Sequence, residues 1–326
     1  MNWSIMEKEK AARLMKEAYE KLKNSDAGAA YVLLEEALDF DYDNKEIKHA
    51  LKCIHWWLEH IRRIDVIKNP YEKGAYLISM FRQYYVFLGH LDEISVHTGF
   101  EQNDFEQCQY AIKFFVYSKA LFFFKELLTN PANQNDHGLL LLTGRCYKGT
   151  GNYDESLHFL ECALSIKKED ALTLAELADV NALLAQVKHA KALFREAFFI
   201  DPAKIDLRAL ESALILKLRD KVAELGYKDE KLNEWIPVYG YIWKVFTVKR
   251  ELKQMEVGRL KQSIFTMEAE QDSDPVLKEQ IKPKLLNHYF WLIDYYETIN
   301  ESPSIIEDTL LKIKITDPDI YKMYTG

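Results

Sequence analysis

The chain has 326 residues, of which 48% are hydrophobic and 13% aromatic, a composition that excludes a wholly disordered protein. Its 51 acidic residues outnumber its 43 lysines and arginines, giving a formal net charge of −8, and the resulting field repels nucleic acid. Residues 7 to 10 are all charged where a secretory signal needs an apolar run, and no window reaches the roughly 20 apolar residues that span a bilayer. The sequence therefore predicts a soluble, cytoplasmic protein without membrane insertion and without a nucleic-acid partner.

The first predicted hairpin covers residues 11 to 44, where Ala18, Ala30 and Ala37 follow one another at spacings of 12 and 7. Residues 45 to 67 and 71 to 91 are predicted as a pair of long helices, separated at Asn69-Pro70. Residues 103 to 129 are strongly apolar and end at Asn130-Pro131. They predict a largely buried helical pair.

The centre of the chain contains two consecutive blocks of 34 residues, 137 to 170 and 171 to 204, with small side chains at matching offsets. The small residues are Gly144, Ser156 and Ala163 in the first block and Ala178, Ala190 and Ala197 in the second. Each block has two apolar-periodic segments, which predicts a helical hairpin, and antiparallel helices approach closely only where small residues sit at their crossing. A fixed period in this range indicates a helical repeat protein.

The period is lost after residue 204. Residues 205 to 225 predict a helix that caps the repeats with a polar outer face. Residues 238 to 270 predict one long helix, bent or broken near Gly258, followed by a solvated acidic connector from Glu268 to Asp274. Residues 287 to 320 carry Phe290 and Pro318 near repeat positions and predict a degenerate repeat.

These patterns resemble the tetratricopeptide repeat family. The residues that carry the resemblance are Leu140, Gly144, Tyr147, Gly151, Asn152, Tyr153, Ala163 and Leu164, then Leu177, Ala178, Ala190, Phe194, Ala197 and Pro202, with Leu14, Ala18, Ala30, Leu34 and Ala37 in the first hairpin. The resemblance implies helix-turn-helix units stacked into a right-handed superhelix, whose concave groove binds other proteins. The expected fold is all-α, an alpha-alpha superhelix of tetratricopeptide-like hairpins with divergent C-terminal helices. Three segments are expected: N-terminal hairpins at 1–100, central repeats with a capping helix at 101–226, and a divergent region at 227–326.

The resemblance also implies which side chains face the groove. They are Leu141, Arg145, Lys148, Leu172, Ala175, Asp179 and Ala182. Family members that clamp a chaperone's terminal carboxylate carry a cation and an asparagine where this chain has Leu141 and Arg145, so that partner is disfavoured. An amphipathic or acidic segment suits the mixture of apolar residues and cations better. Pairing of Arg145 with Asp179 is an alternative use of both residues.

A second candidate surface is aromatic. It consists of Trp235, Tyr239, Tyr241 and Trp243. Tryptophan and tyrosine dominate interface hot spots, but they also suit the core of a terminal helical region. Both uses stay open at the level of sequence.

No motif indicates catalysis, a cofactor or a metal. Asp39, Asp41 and Asp43 alternate as in a calcium loop, but Asn44 and Ala50 stand where glycine and glutamate are needed. The four cysteines, Cys53, Cys108, Cys146 and Cys162, have neither CxxC spacing nor a histidine at metal-ligand spacing, and they are expected to be reduced thiols.

The sequence thus predicts a noncatalytic adaptor or scaffold that binds a peptide or helix of a partner protein. One alternative is a structural subunit of an envelope, secretion or motility assembly, joined through residues 227–270, and self-association into a homo-oligomer is compatible with it. A second alternative is a regulatory protein that senses a peptide or small ligand.

Overall fold

A computed structural model describes residues 2–96, 105–271 and 275–326 of the chain. These residues form fifteen α-helices and no β-strand, which confirms the predicted all-α class. None of the helices described is long and apolar enough to span a bilayer.

The chain divides into two compact units, residues 1–166 and residues 167–326. The sequence divides the chain differently, into three segments that differ in how closely they match the repeat pattern: 1–100, 101–226 and 227–326. The two compact units are defined by contacts and not by repeats, so the division into three segments stays a prediction.

The first unit contains seven helices among its described residues. They are α1 (Asn2–Lys23), α2 (Ala27–Phe40), α3 (Lys45–Ile64), α4 (Pro70–Val96), α5 (Glu106–Leu128), α6 (His137–Gly149) and α7 (Tyr153–Ile166). Side chains that accept a backbone N–H three residues on mark three helix starts: Asp26 for α2, Asn44 for α3 and Asp136 for α6. Such caps satisfy donors that the first helical turn leaves unpaired.

The helical pair predicted at 103 to 129 is wrong, because the structure has a single helix, α5, in this segment. No glycine or proline interrupts the run between Glu106 and Leu128, so no helix-breaking residue ends the first helix of a pair. Residues 103 and 104 lie outside the described residues.

The small residues of the first unit lie where its hairpins cross, as predicted. A Cβ on Gly144 would stand 2.7 Å from Cγ of Leu160 on α7. The Ser156 hydroxyl donates to the carbonyl of Gly144 at 2.7 Å, and Ser156 and Ala163 are fully buried. In the hairpin of α1 and α2, Ala18, Ala30 and Ala37 are likewise fully buried. A larger side chain at these positions would hold the two helices apart.

The second unit contains eight helices among its described residues. They are α8 (Ala171–Leu183), α9 (Val187–Ile200), α10 (Ala213–Ala223), α11 (Asp229–Ile242), α12 (Gln254–Gln271), α13 (Pro275–Thr298), α14 (Pro303–Thr316) and α15 (Pro318–Thr325). Ala178, Ala190 and Ala197 are fully buried in α8 and α9. The degenerate repeat expected at 287 to 320 corresponds to part of α13 and to α14, and Pro318 is the first residue of α15.

The capping helix predicted at 205 to 225 begins only at Ala213. The reason is tertiary: the backbone N–H groups of Glu211 and Ser212 each donate to the carboxylate of Asp179 at 2.8 Å. These bonds hold residues 211 and 212 just before the first turn of α10.

The single helix predicted at 238 to 270 is wrong. The helix α11 starts at Asp229 and contains Pro237, the chain leaves the helix after Ile242, and α12 runs through Gly258 without a break. The N–H groups of Val245 and Phe246 both donate to the carbonyl of Gly240 at 2.8 Å. A Cβ on Gly240 would stand 2.5 Å from the ring of Phe246, so this glycine lets the chain fold back over the helix end.

The acidic connector predicted from Glu268 to Asp274 is wrong as far as Gln271, which is the last residue of α12. The Glu268 carboxylate accepts a hydrogen bond from the Tyr289 hydroxyl at 2.7 Å and pairs with Lys312 at 2.7 Å. These partners on α13 and α14 hold the half-buried side chain of Glu268 against neighbouring helices, so it does not belong to a solvated loop. Residues 272 to 274 lie outside the described residues.

Candidate functional site

The three groove positions predicted on α6 are buried in the structure. The exposed fractions of Leu141, Arg145 and Lys148 are 6%, 8% and 3%. Their use in binding a partner stays a prediction, and the two cations do not form an open surface patch.

The groove positions predicted on α8 differ among themselves. Leu172 and Ala182 are partly exposed, whereas Ala175 and Asp179 are fully buried. The carboxylate of Asp179 accepts the two N–H groups that precede α10. It acts as a remote cap for that helix, a structural role that an acid in the middle of an apolar helix does not reveal in the sequence.

The four predicted aromatic residues contribute to the packing of the second unit. Trp235 and Tyr239 are buried, and their neighbours include Tyr227, whose ring centroid lies 4.8 Å from that of Trp235. Tyr241 stacks on Phe290 at 4.4 Å, and Trp243 lies 4.9 Å from Tyr239. Burial raises the pKa of Tyr239 and of Tyr241. These contacts match the core use of the aromatics.

A cavity of about 330 Å³ lies in the second unit, where the sequence predicts no site. Its walls come from Glu169 just before α8, from α9, from residues 250 to 252, from α12 and from α13, and three of its lining residues are acidic: Glu169, Glu196 and Glu256. Phe199, Ile200, Leu252 and Leu260 supply an apolar part. A second cavity of about 410 Å³ shares Arg259, Ser263 and Lys284 with the first, so both open on the same face of α12 and α13.

One cation of the cavity is neutralised within the protein. Arg250 donates to the carboxylate of Glu256 at 2.8 Å and lies 3.8 Å from that of Glu196. The hydrogen bond from Arg250 lowers the pKa of Glu256, and the N–H of Lys253, which donates to the same carboxylate at 2.7 Å, adds to the effect. This group fixes the segment between α11 and α12 against α9.

Two further cations of the cavity are available to a ligand. Arg259 on α12 and Lys284 on α13 are exposed, and neither forms an ion pair within the described parts of the chain. An arginine guanidinium and an ammonium group that line the same cavity suit a carboxylate or phosphate, since both cations donate hydrogen bonds and the guanidinium can do so in a bidentate manner.

His288 and Ser263 line the same cavity as the two cations and the apolar wall. The Nδ1 of His288 donates to the carbonyl of Lys284 at 2.8 Å, so its Nε2 accepts from the hydroxyl of Ser263 at 3.3 Å. Burial lowers the pKa of His288 to about 4. The ring is therefore neutral and weakly basic near pH 7, which suits it to orient the Ser263 hydroxyl and not to remove its proton.

A scan against protein-family models finds no match for this chain, and a search of curated proteins finds none either. The resemblance to tetratricopeptide repeats therefore rests on the residues and hairpins described above.

Proposed function

We propose that this protein is a noncatalytic scaffold of tetratricopeptide type that acts in the cytoplasm, and that it binds an acidic, partly apolar segment of a partner protein in the cavity between α9, α12 and α13. The observation that carries this proposal is the pair of exposed cations, Arg259 and Lys284, beside an apolar wall. The groove residues predicted from the sequence suit the same type of partner, but most of them are buried.

The repeat hairpins support the scaffold part of the proposal. Three pairs of helices, α1 with α2, α6 with α7 and α8 with α9, carry buried small residues at the same spacings. Hairpins of this type bury their apolar faces by stacking on neighbouring repeats and leave extended surfaces for binding. We propose that they build a right-handed superhelix and that the cavity belongs to its divergent C-terminal part.

The chemistry of the cavity supports the choice of ligand. A carboxylate that reaches Arg259 and Lys284 replaces its hydration with charge-assisted hydrogen bonds. The Ser263 hydroxyl donates its proton to His288, so its oxygen can accept a hydrogen bond from an N–H group of the bound segment. An adjacent apolar side chain would bury against Phe199 and Leu260, which adds affinity without adding charge. A segment that combines an aspartate or glutamate with a nearby phenylalanine or leucine fits both parts.

The test uses labelled short peptides in which acidic residues flank one phenylalanine or leucine. Fluorescence anisotropy measures their affinity for the full chain. Replacing Arg259 and Lys284 together by glutamate should weaken binding by at least about tenfold, because one charge-assisted contact is worth about 1.5 kcal/mol. The matched control is Lys314→Glu, an exposed cation on α14 that lies away from the cavity. Peptides with glutamine in place of glutamate should bind as weakly as the double variant binds the acidic ones. Equal binding by the double variant and by the control would overturn the proposal.

The size of the cavity favours a second candidate, a sensor of a small anionic ligand. A volume of about 330 Å³ lies at the lower end of the range of small-molecule sites. Thermal-shift measurements with glutamate, citrate and inorganic phosphate separate the two candidates, since a ligand that binds the folded state raises its melting temperature. A shift with such a compound and none with the peptides would favour the sensor.

The remaining candidate is a structural subunit joined through residues 227–270. Met255 and Phe265 on α12 are 75% and 73% exposed, which leaves two apolar side chains for an interface with a second copy or another subunit. Single exposed apolar side chains are common on monomeric proteins, so this candidate has less support than the cavity. A monomeric mass in solution at high protein concentration would count against self-association.

A further inference from the structure

The cavity between α9, α12 and α13 is lined by acids as well as by cations. Its acids are Glu169 just before α8, Glu196 on α9 and Glu256 near the start of α12. Its cations are equal in number and comprise Arg250, Arg259 and Lys284. A ligand that is acidic along its whole length would therefore meet as many like charges as opposite ones.

The adjoining cavity shifts this balance further towards acid. It shares Arg259 and Lys284 with the first cavity and adds Glu270, but its lining contains no other cation. Like charges that face each other across an interface lower the affinity for the wrong partner. A phosphate dianion or a continuous run of acidic residues is therefore disfavoured on this face of α12 and α13.

Two of the acids are engaged by the protein itself. The Oε1 of Glu256 accepts a hydrogen bond from Arg250 at 2.8 Å, and its Oε2 accepts one from the backbone N–H of Lys253 at 2.7 Å. Glu196 lies 3.8 Å from the same guanidinium. Because Arg250 is shared between these two carboxylates, neither is the first choice of a cation from outside.

Glu169 is the acid that remains for a ligand. Its side chain is exposed, and it forms no ion pair within the parts of the chain that the structure describes. The cation of Lys167, two residues earlier, is taken by Asp170 at 2.6 Å. Asp170 also accepts the backbone N–H of Thr173 at 3.0 Å and so caps α8. Glu169 therefore precedes a capped helix start and lines the cavity with a free carboxylate.

The size of the cavity places a limit on how far apart the charges of a ligand can be. Its volume is about 330 Å³, which is room for about ten water molecules. The groups that reach Glu169 on one hand and Arg259 and Lys284 on the other must therefore come from residues close together in the partner. Neighbours in an extended segment, or residues three or four apart on one face of a helix, meet this condition.

We propose that the bound segment is dipolar, an inference that rests on the function proposed above. One carboxylate of the segment reaches Arg259 and Lys284, and a nearby lysine or arginine of the segment reaches Glu169. Its apolar side chain packs on Phe199 and Leu260. Glu169 is then a specificity-determining residue: among segments that carry an acid, it selects those that also carry a base. An exposed charge pair adds little affinity, so its effect is on the choice of partner.

The experiment starts from the acidic peptides of the preceding section. In one series lysine replaces a single flanking acid, at each position in turn, and in a second series glutamine replaces the same acid. Fluorescence anisotropy with the full chain at low salt measures their affinities. At the position that faces Glu169, lysine should bind about threefold more tightly than glutamine, the size expected of an exposed ion pair, and the acidic parent should bind most weakly of the three. High salt should reduce these differences.

Variants of Glu169 show whether the preference comes from this residue. Glu169→Gln should bind the lysine and glutamine peptides equally, and Glu169→Lys should prefer the acidic parent. The matched control is Glu307→Gln, which removes an exposed acid on α14 that does not line the cavity. Both glutamine variants change the net charge of −8 by the same amount, so an attraction of lysine by the overall field would persist in both. The control should retain the preference of the wild type.

The outcomes separate this inference from the function on which it rests. Acidic peptides that bind, with no gain from lysine over glutamine at any position, would overturn the dipolar segment and leave the proposed function standing. No binding by the acidic parents or by either series would overturn both. A preference for lysine that persists in Glu169→Gln would overturn the role of Glu169. Tighter binding when phosphoserine replaces the same acid would overturn the dipolar segment too, since the lining acids would then exert no selection.

Discussion

Arg195 on α9 forms an ion pair with Asp294 on α13 inside the second unit, where their side chains are only 4% and 6% exposed. The other oxygen of Asp294 accepts a hydrogen bond from the Tyr241 hydroxyl at 3.0 Å and lies 3.3 Å from the ammonium group of Lys249. The guanidinium of Arg195 lies 4.4 Å from the ring centroid of Trp291. One carboxylate therefore joins α9, α11, α13 and the segment after α11.

Removing the cation of this pair should destabilise the protein strongly. Arg195→Met leaves Asp294 in the core with a weaker set of partners, and loss of one member of a buried pair costs about 3 kcal/mol or more. Chemical denaturation at pH 7 measures the change. The control is Lys322→Met, because Lys322 pairs with Asp319 at 3.5 Å while both side chains are more than three-quarters exposed, and exposed pairs contribute little. Similar free energies of unfolding for both variants would contradict the prediction.

Two glycines within helices should respond to alanine with opposite signs. A Cβ at Gly144 would meet Leu160 at 2.7 Å, whereas a Cβ at Gly258 has no neighbour within 4 Å. Gly144→Ala should destabilise the protein by about 1 to 3 kcal/mol, because it forces α6 and α7 apart. Gly258→Ala should stabilise it by about 0.5 to 1 kcal/mol through helix propensity. The two melting temperatures should therefore move in opposite directions; a common direction would refute the assignment of Gly144 to a helix crossing.

The difference between these glycines also shows what could be predicted from the sequence. Gly144 repeats at the offset of Ala178, and a fixed spacing of small residues is a local signal that identifies a hairpin. The end of α11 has no such signal. Lys244 adopts a left-handed backbone with φ of 60° just after this helix. Glycine is the residue that usually occupies such a position. Because lysine stands there instead, the sequence gives no local indication that the helix ends.

The candidate cavity cannot be predicted from the sequence, for a different reason. Arg259 and Ser263 lie on α12, whereas Lys284 and His288 lie on α13, and each pair alone is an ordinary polar face of a helix. Their shared cavity also needs Phe199 on α9. No spacing along the chain encodes how three helices meet. The repeat pattern is clear only at 137 to 204, so the sequence predicts groove residues there, such as Arg145 and Asp179, and none in the cavity.

Asp179 should prove to be a structural residue. Asp179→Ala removes the acceptor of two backbone N–H groups, those of Glu211 and Ser212, and should cost about 3 kcal/mol, since hydrogen bonds to a charged acceptor are stronger than neutral ones. Hydrogen exchange at the amides of residues 211 and 212 should accelerate together with the first turn of α10. Asp179→Asn retains one carbonyl acceptor and should show a smaller loss. An unchanged free energy of unfolding for Asp179→Ala would contradict the structural role, and partner binding would then be the remaining role proposed for this residue.

His288 should make the protein sensitive to mild acid. Burial lowers its pKa to about 4 in the folded state, against about 6.5 in an unfolded chain. The unfolded chain therefore takes up a proton at higher pH than the folded protein does, so the stability is complete above about pH 6.5 and falls as the pH is lowered towards 4, by up to about 3 kcal/mol. Lys284, which lines the same cavity, acts in the same direction by repelling a charged imidazole.

The measurement is the free energy of unfolding of the wild type and of His288→Asn at several values between pH 7 and pH 4. The variant has no imidazole at this position, and it should lose less stability than the wild type over this range. The titration of Glu256, whose pKa Arg250 lowers, occurs in both proteins and cancels in the difference. Parallel pH profiles would mean that His288 is as easily protonated in the folded protein as in the unfolded chain, and the hydrogen bond that orients Ser263 could then not rest on a permanently neutral ring.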